Sequence, residues 1–156
     1  ALKDGFAARV LEGIPGARLH GTLDAARSLP GIVNFGFDGI TGDELLFSLD
    51  LEGVCASNGS ACSAGSSAPS RTLLAMGLTA AEARGAVRFS FGRTNTADDA
   101  AAAFAALERT VARLRSRCRE ISGRRGGGIP PLFRKEVAVR YIPLHSRHTS
   151  GKEGEI

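Results

Sequence analysis

The 156-residue chain is 43% hydrophobic and 23% charged, a make-up that suits one globular domain with a real core. It has no run of about 18 apolar residues that could span a bilayer. Its net charge of +4 is uneven: residues 1–112 hold nine Lys/Arg against twelve Asp/Glu, and residues 113–156 hold eleven against four.

The opening "ALKDGFAARVLEGIPG" carries charges throughout and no apolar h-region, so it reads as an amphipathic helix and not as a signal peptide. Leu2, Phe6, Val10 and Leu11 predict a helix over 2–12, which "GIPGA" ends. In "GIVNFGF" (31–37), Val33, Phe35 and Phe37 alternate with Asn34 and Gly36, as in a half-buried strand. Thr41 and Glu44 form a capping box that opens the next helix, with Gly53 as its stop. "GVCA" is a short apolar piece leading into a loop of small residues.

Pro69-Ser70 starts a short helix ending at Gly77, and Thr79 with Glu82 makes a second capping box. "AVRFSFG" (86–92) alternates again, with Val87, Phe89 and Phe91 on one face and Arg88 and Ser90 on the other. Thr96 caps a long helix with Asp98 and Asp99 in its first turn, where the helix dipole favours acids. Phe104, Leu107, Val111, Leu114, Cys118 and Ile121 form one apolar stripe along it. Helices and strands therefore alternate, and the expected class is α/β, with a small sheet packed against helices. Residues 1–122 form that domain. "GRRGGGIPP" then reads as a linker, and 123–156 as a basic tail, mostly disordered, with room for a short strand at 137–142. The basic end lacks interleaved aromatics and any nucleic-acid motif, so nucleic acid is not the expected partner.

Cys55, Cys62 and Cys118 show no CxxC or Cys/His spacing. That argues against a disulfide framework and a zinc site, and for a reducing cytoplasm. Cys55 and Cys118 read as small buried hydrophobes. Cys62 is different, because it lies inside "SNGSACSAGSSAPS" (57–70), almost wholly Ser, Gly and Ala. It is either a small residue in a slack loop or a reactive thiol whose slack tether lets it move. Residues 57–68 are expected to be mobile between packed ends. Asn34 is expected to bond backbone at its strand end and Arg93 to make a structural salt bridge. His20, His145 and His148 fall in poorly structured context and join no catalytic arrangement.

The order of these pieces carries a resemblance. "LPGIVNFGF", "GDELLFSLDLEGVCASNGSACSAG", "PSRTLLAMGL" and "VRFSFGRTNT", followed by a long helix ending "VARLR", resemble the C-terminal small domain of the cysteine desulfurases. These are fold-type-I enzymes using pyridoxal phosphate, and the group in question carries a long mobile cysteine loop. The resemblance implies that Cys62 takes sulfur from L-cysteine as a persulfide, releasing alanine, and that Arg88 grips the substrate carboxylate. Such chemistry needs a partly exposed thiolate, and about six extended residues of tether span roughly 20 Å. A guanidinium fork suits a carboxylate.

The resemblance further implies a homodimer and a sulfur-acceptor partner such as an iron–sulfur scaffold protein. Asn58 and Ala68 depart from the family pattern, which shows Ser and an acid there. The large cofactor domain has no counterpart, and none of Lys3, Lys135 and Lys152 sits in the family's lysine motif. The chain is therefore expected to be cut from a longer enzyme, and by itself to bind no pyridoxal phosphate and turn over no cysteine. A stand-alone persulfide carrier is the alternative, and a related aminotransferase-fold fragment without a sulfur role a more distant one.

Overall fold

The computed structural model describes residues 2–58 and 69–124, with side chains described through residue 119. Its elements run α1 (Leu2–Gly13), β1 (Ala17–Leu19), β2 (Ile32–Phe37), α2 (Gly42–Leu51), α3 (Arg71–Ala75), α4 (Ala80–Arg84), β3 (Ala86–Ser90) and α5 (Ala97–Arg124). The three strands form one antiparallel sheet in the order β1-β2-β3. The α/β class read from the sequence is the one observed.

Alternation along the strands decides which face is buried. Val33 pairs with Phe89 and Phe35 with Val87, so these four side chains share a face. Phe6, Ala7 and Val10 of α1, Leu45 and Leu49 of α2, and Phe104, Leu107, Val111 and Leu114 of α5 join them in one core. Phe6 touches the rings of Phe35, Phe89 and Phe91 edge-on or tilted, at centroid separations of 6.4, 5.1 and 5.3 Å. A smaller cluster of Leu73, Ala83 and Ala86 ties α3 and α4 to the start of β3.

Both capping boxes form: the Thr41 and Thr79 side chains accept from the amides of Glu44 and Glu82, whose carboxylates reach back to the cap amides. Thr96 makes a similar pair with Asp99, whose amide donates to the threonine hydroxyl and whose carboxylate accepts the threonine amide. These boxes satisfy amide groups that a helix start would otherwise leave orphaned.

Among the described side chains of α5 the last buried one is Leu114; Cys118 is exposed, not buried as expected, with its Sγ 4.0 Å from the Gly39 carbonyl oxygen. The Ile121 side chain, the last of the expected stripe, lies outside the described ones. The described backbone of α5 is helical through Arg124. The tail reading for 125–156, with its strand at 137–142 and with His145 and His148, lies outside the described residues.

Candidate functional site

The sheet face opposite the core carries the polar residues. Arg88 stands at the centre of β3 because Val87 and Phe89 on either side of it face the core. On one side it pairs with Asn34 of β2. On the other it makes a bridge to Ser57: the Arg88 amide donates to the Ser57 carbonyl at 2.6 Å, and the Ser57 amide to the Arg88 carbonyl at 3.0 Å. Ser57 is the first residue of the small-residue stretch, so the root of that loop is joined to the strand that bears Arg88. Asn58 adds a second anchor by donating its side-chain amide to Asp43 of α2 at 2.9 Å. These bonds tie the first two residues of 57–68 to β3 and α2. Cys62 and the rest of 59–68 lie outside the described residues.

Arg88 is half-buried, and its Nε–H is buried without a hydrogen-bond partner. Its side chain forms no ion pair or hydrogen bond among the described residues. Two other arginines are partly buried, and both have side-chain partners. Arg18 is paired with Asp38 and Glu82; Arg115 donates to the carbonyls of Pro15 and Asp38 at 2.6 and 3.3 Å, although its Nη2 is buried without a partner. The exposed Arg109 and Arg113 share Glu52 at 2.9 and 3.5 Å. A half-buried cation without a counter-charge is costly unless an anion joins it, so the position is suited to a carboxylate.

Beyond Asn34, the same row reaches β1. The His20 amide donates to the Asn34 carbonyl at 2.9 Å, and His20 Nδ1 lies 2.7 Å from Asn34 Oδ1. His20, Asn34, Arg88 and Ser57 thus form one line across the sheet. This corrects three sequence expectations. His20 is not in loose context, because it extends β1, which the sequence reading did not include. Asn34 bonds a side chain, not strand-end backbone. Arg93, exposed past the end of β3, makes no salt bridge among the described residues.

Burial pushes the His20 imidazole below its ordinary 6.5; the Asn34 bond raises it, Arg18 lowers it and Glu82 raises it by lesser amounts. The shift favours the neutral ring. The cap bonds from Thr79 hold the Glu82 carboxyl below its usual value.

Cys55 is exposed, not buried as expected. Val54 and Ala56 on either side of it pack on the core, and in an extended segment the residue between two inward-facing ones must point out. It lines an open groove of about 400 Å³ with Asp43, Leu46, Phe47, Asp50, Val54 and Ala56. Two carboxylates in that groove make it unfit for an anionic substrate. Lys3 is the one lysine among the described residues; it is 2% exposed. Its Nζ lies 2.7 Å from Ser28 Oγ, 3.2 Å from the Leu29 carbonyl and 3.6 Å from Asp4. It is a tether for the 24–29 segment and cannot serve as a cofactor amine. Among the described residues no group of His, Cys, Asp and Glu could hold a metal, and no helix is long and apolar enough to cross a membrane.

A family model described as aminotransferase class-V matches residues 3–102. The chain belongs to that family. It is 46% identical over 86 residues to the cysteine desulfurase IscS of Clostridium botulinum, covering 55% of this chain and 22% of that protein. It is 45% identical over 114 residues to the IscS-like cysteine desulfurase of Mycobacterium tuberculosis, covering 73% of this chain and 29% of that protein. The chain thus spans less than a third of the length of these curated relatives. The fold matches the NifS-like protein of Rickettsia africae with a TM-score of 0.58 at 24% identity, over 71% of this chain and 27% of that one. The resemblance read from the motifs is therefore the family relationship found.

Proposed function

We propose that the chain forms the small-domain part of a cysteine desulfurase, in which Arg88 holds the carboxylate of L-cysteine and Cys62 receives its sulfur. The observation that carries this reading is the half-buried Arg88 guanidinium, which has no counter-charge among the described residues and whose strand is bridged to the root of the Cys62 loop. Cys62 lies five positions along the chain from Ser57, so chain length alone keeps it within about 18 Å of the bridge. A thiolate there can attack the sulfur of a cysteine held at Arg88. The sulfur–sulfur bond forms, the carbon–sulfur bond breaks, and the electron pair leaves with the three-carbon fragment. That fragment takes up a proton and departs as alanine, and Cys62 is left as a persulfide.

Lys3 does not fit pyridoxal phosphate, the cofactor of enzymes of this kind. We therefore assign the cofactor and its lysine to the rest of a parent enzyme, and limit this chain's part to carboxylate and sulfur. The same reading includes a second desulfurase subunit, a sulfur-acceptor protein such as an iron–sulfur scaffold, and a reducing cytoplasm.

The test is a chimera in which residues 2–115 replace the matching segment of the Mycobacterium tuberculosis relative, assayed for alanine release from L-cysteine. Arg88→Ala should raise KM about 100-fold, as expected for losing a charge-assisted bidentate contact of roughly 3 kcal/mol. An unchanged KM in a chimera that still releases alanine would remove Arg88 from the reading.

A further inference from the structure

Asn34 and Arg88 are direct partners across β2 and β3, and their backbone bonds show which kind of pair they form. The amide and carbonyl of Arg88 turn away from β2 toward Ser57, and the carbonyl of Asn34 turns away from β3 toward the His20 amide. Partners whose backbone groups point apart make the narrow antiparallel pair, with Cα atoms about 4.5 Å from each other and side chains at their closest. Both side chains rise on the face opposite the core.

The oxygen end of the Asn34 amide is already engaged, since Oδ1 sits 2.7 Å from His20 Nδ1. An amide oxygen can only accept, so Nδ1 is the protonated ring nitrogen. With Oδ1 held on the β1 side, the Nδ2 group is turned away from β1, and it has no acceptor among the described residues. The buried Nε–H of its neighbour Arg88 has none either. Two donor groups therefore stand side by side on adjacent strands. Gly36 makes the arrangement possible: a Cβ there would lie 2.9 Å from both Cε1 and Nε2 of His20. The ring occupies the space a side chain would take.

We infer that Asn34 is a second donor to the substrate carboxylate beside Arg88, and that His20 is a positioning residue that keeps its amide turned to donate. This rests on the reading of Arg88 as the carboxylate site and adds the group that completes it. A carboxylate offers about four lone-pair sites; the guanidinium fork takes one edge, and the neutral amide takes a remaining site. The ligand class is an α-amino acid, recognised by its carboxylate.

The test uses the full chain, ¹⁵N-labelled, with sodium acetate as probe and sodium chloride at equal ionic strength as control. Side-chain signals of Arg88 Nε–H and Asn34 Nδ2–H should move along one acetate isotherm, and chloride should move neither. Asn34→Asp keeps the oxygen that His20 needs but removes the donor and adds a negative charge. It should abolish the acetate response of Arg88 without lowering the unfolding midpoint. His20→Leu should weaken acetate about fivefold, the worth of one hydrogen bond, and His20→Gln, which restores a donor to Oδ1, should recover it. An Arg88 response that is the same in wild type and Asn34→Asp overturns the inference while leaving the Arg88 site standing. An unaltered affinity in His20→Leu removes the positioning role. If neither signal responds to acetate in the wild type, the carboxylate site itself fails and the inference falls with it.

Discussion

Gly36→Ala should destabilise the fold through His20 and through nothing else. The added Cβ would meet only the Cε1 and Nε2 atoms of the His20 ring, both at 2.9 Å, well inside van der Waals contact. The ring must shift, and its 2.7 Å bond to Asn34 lengthens or breaks. Losing that bond costs about 1 kcal/mol, and crowding a packed site costs roughly 1–3 kcal/mol. Replacing a strand glycine by alanine recovers about 0.5–1 kcal/mol of backbone entropy. The net cost is about 1–3.5 kcal/mol. In a His20→Ala background the obstruction is gone, so the same substitution should be neutral or stabilising by up to about 1 kcal/mol. The assay is urea unfolding followed by far-UV circular dichroism, since the chain has no tryptophan. An equal cost of Gly36→Ala in both backgrounds would refute the packing of His20 over Gly36.

Two other glycines should respond in opposite directions. Gly31→Ala places a Cβ 2.5 Å from the backbone oxygen of Phe91, which cannot rotate away, and should cost about 2 kcal/mol or more; Gly5→Ala, exposed with nothing within 4 Å, should gain about 1 kcal/mol of helix propensity. Stability should fall as pH drops from about 6.5, because burial holds the folded His20 value below that of the unfolded chain, which takes up the proton first. The loss should level off below the folded value, and His20→Gln should flatten that stretch of the profile. A second decline, below the ordinary carboxylate value of 4.5, should follow Glu52 and Glu82, whose partners Arg109 and Thr79 hold them low. Native-state alkylation with peptide mapping should label Cys55 and Cys118 without unfolding, since both are exposed; protection of either thiol would contradict its placement.

Much of the fold was legible in local chemistry. Thr41, Thr79 and Thr96 announce three helix starts because each has an acid three residues on, and the alternation in 31–37 and 86–92 reveals two strands with a common buried face. β1 escaped because it is a three-residue edge strand. The alternation of Ala17 and Leu19 with Arg18 and His20 was its only signal, and it was too short to stand out between Gly16 and Gly21. That miss also hid His20 from the site, since a cross-strand row depends on register, which no single segment carries. The face that Arg88 takes was legible from its place between Val87 and Phe89; its part in binding a carboxylate came only from the resemblance. Its isolation from other charges was not legible, because only the assembled structure shows where each carboxylate goes. Cys118 was misread for a related reason: the period of a helix shows which face is apolar, not how far the opposing surface extends.

Whether Cys62 receives the sulfur is decided by the mass of its peptide from the chimera after one exposure to L-cysteine without added reductant. The peptide bearing Cys62 should gain one sulfur atom, with alanine released in equal amount, and the peptides of Cys55 and Cys118 should gain none. Alanine release with no added sulfur at Cys62, or with the sulfur on Cys55 or Cys118, would contradict that assignment.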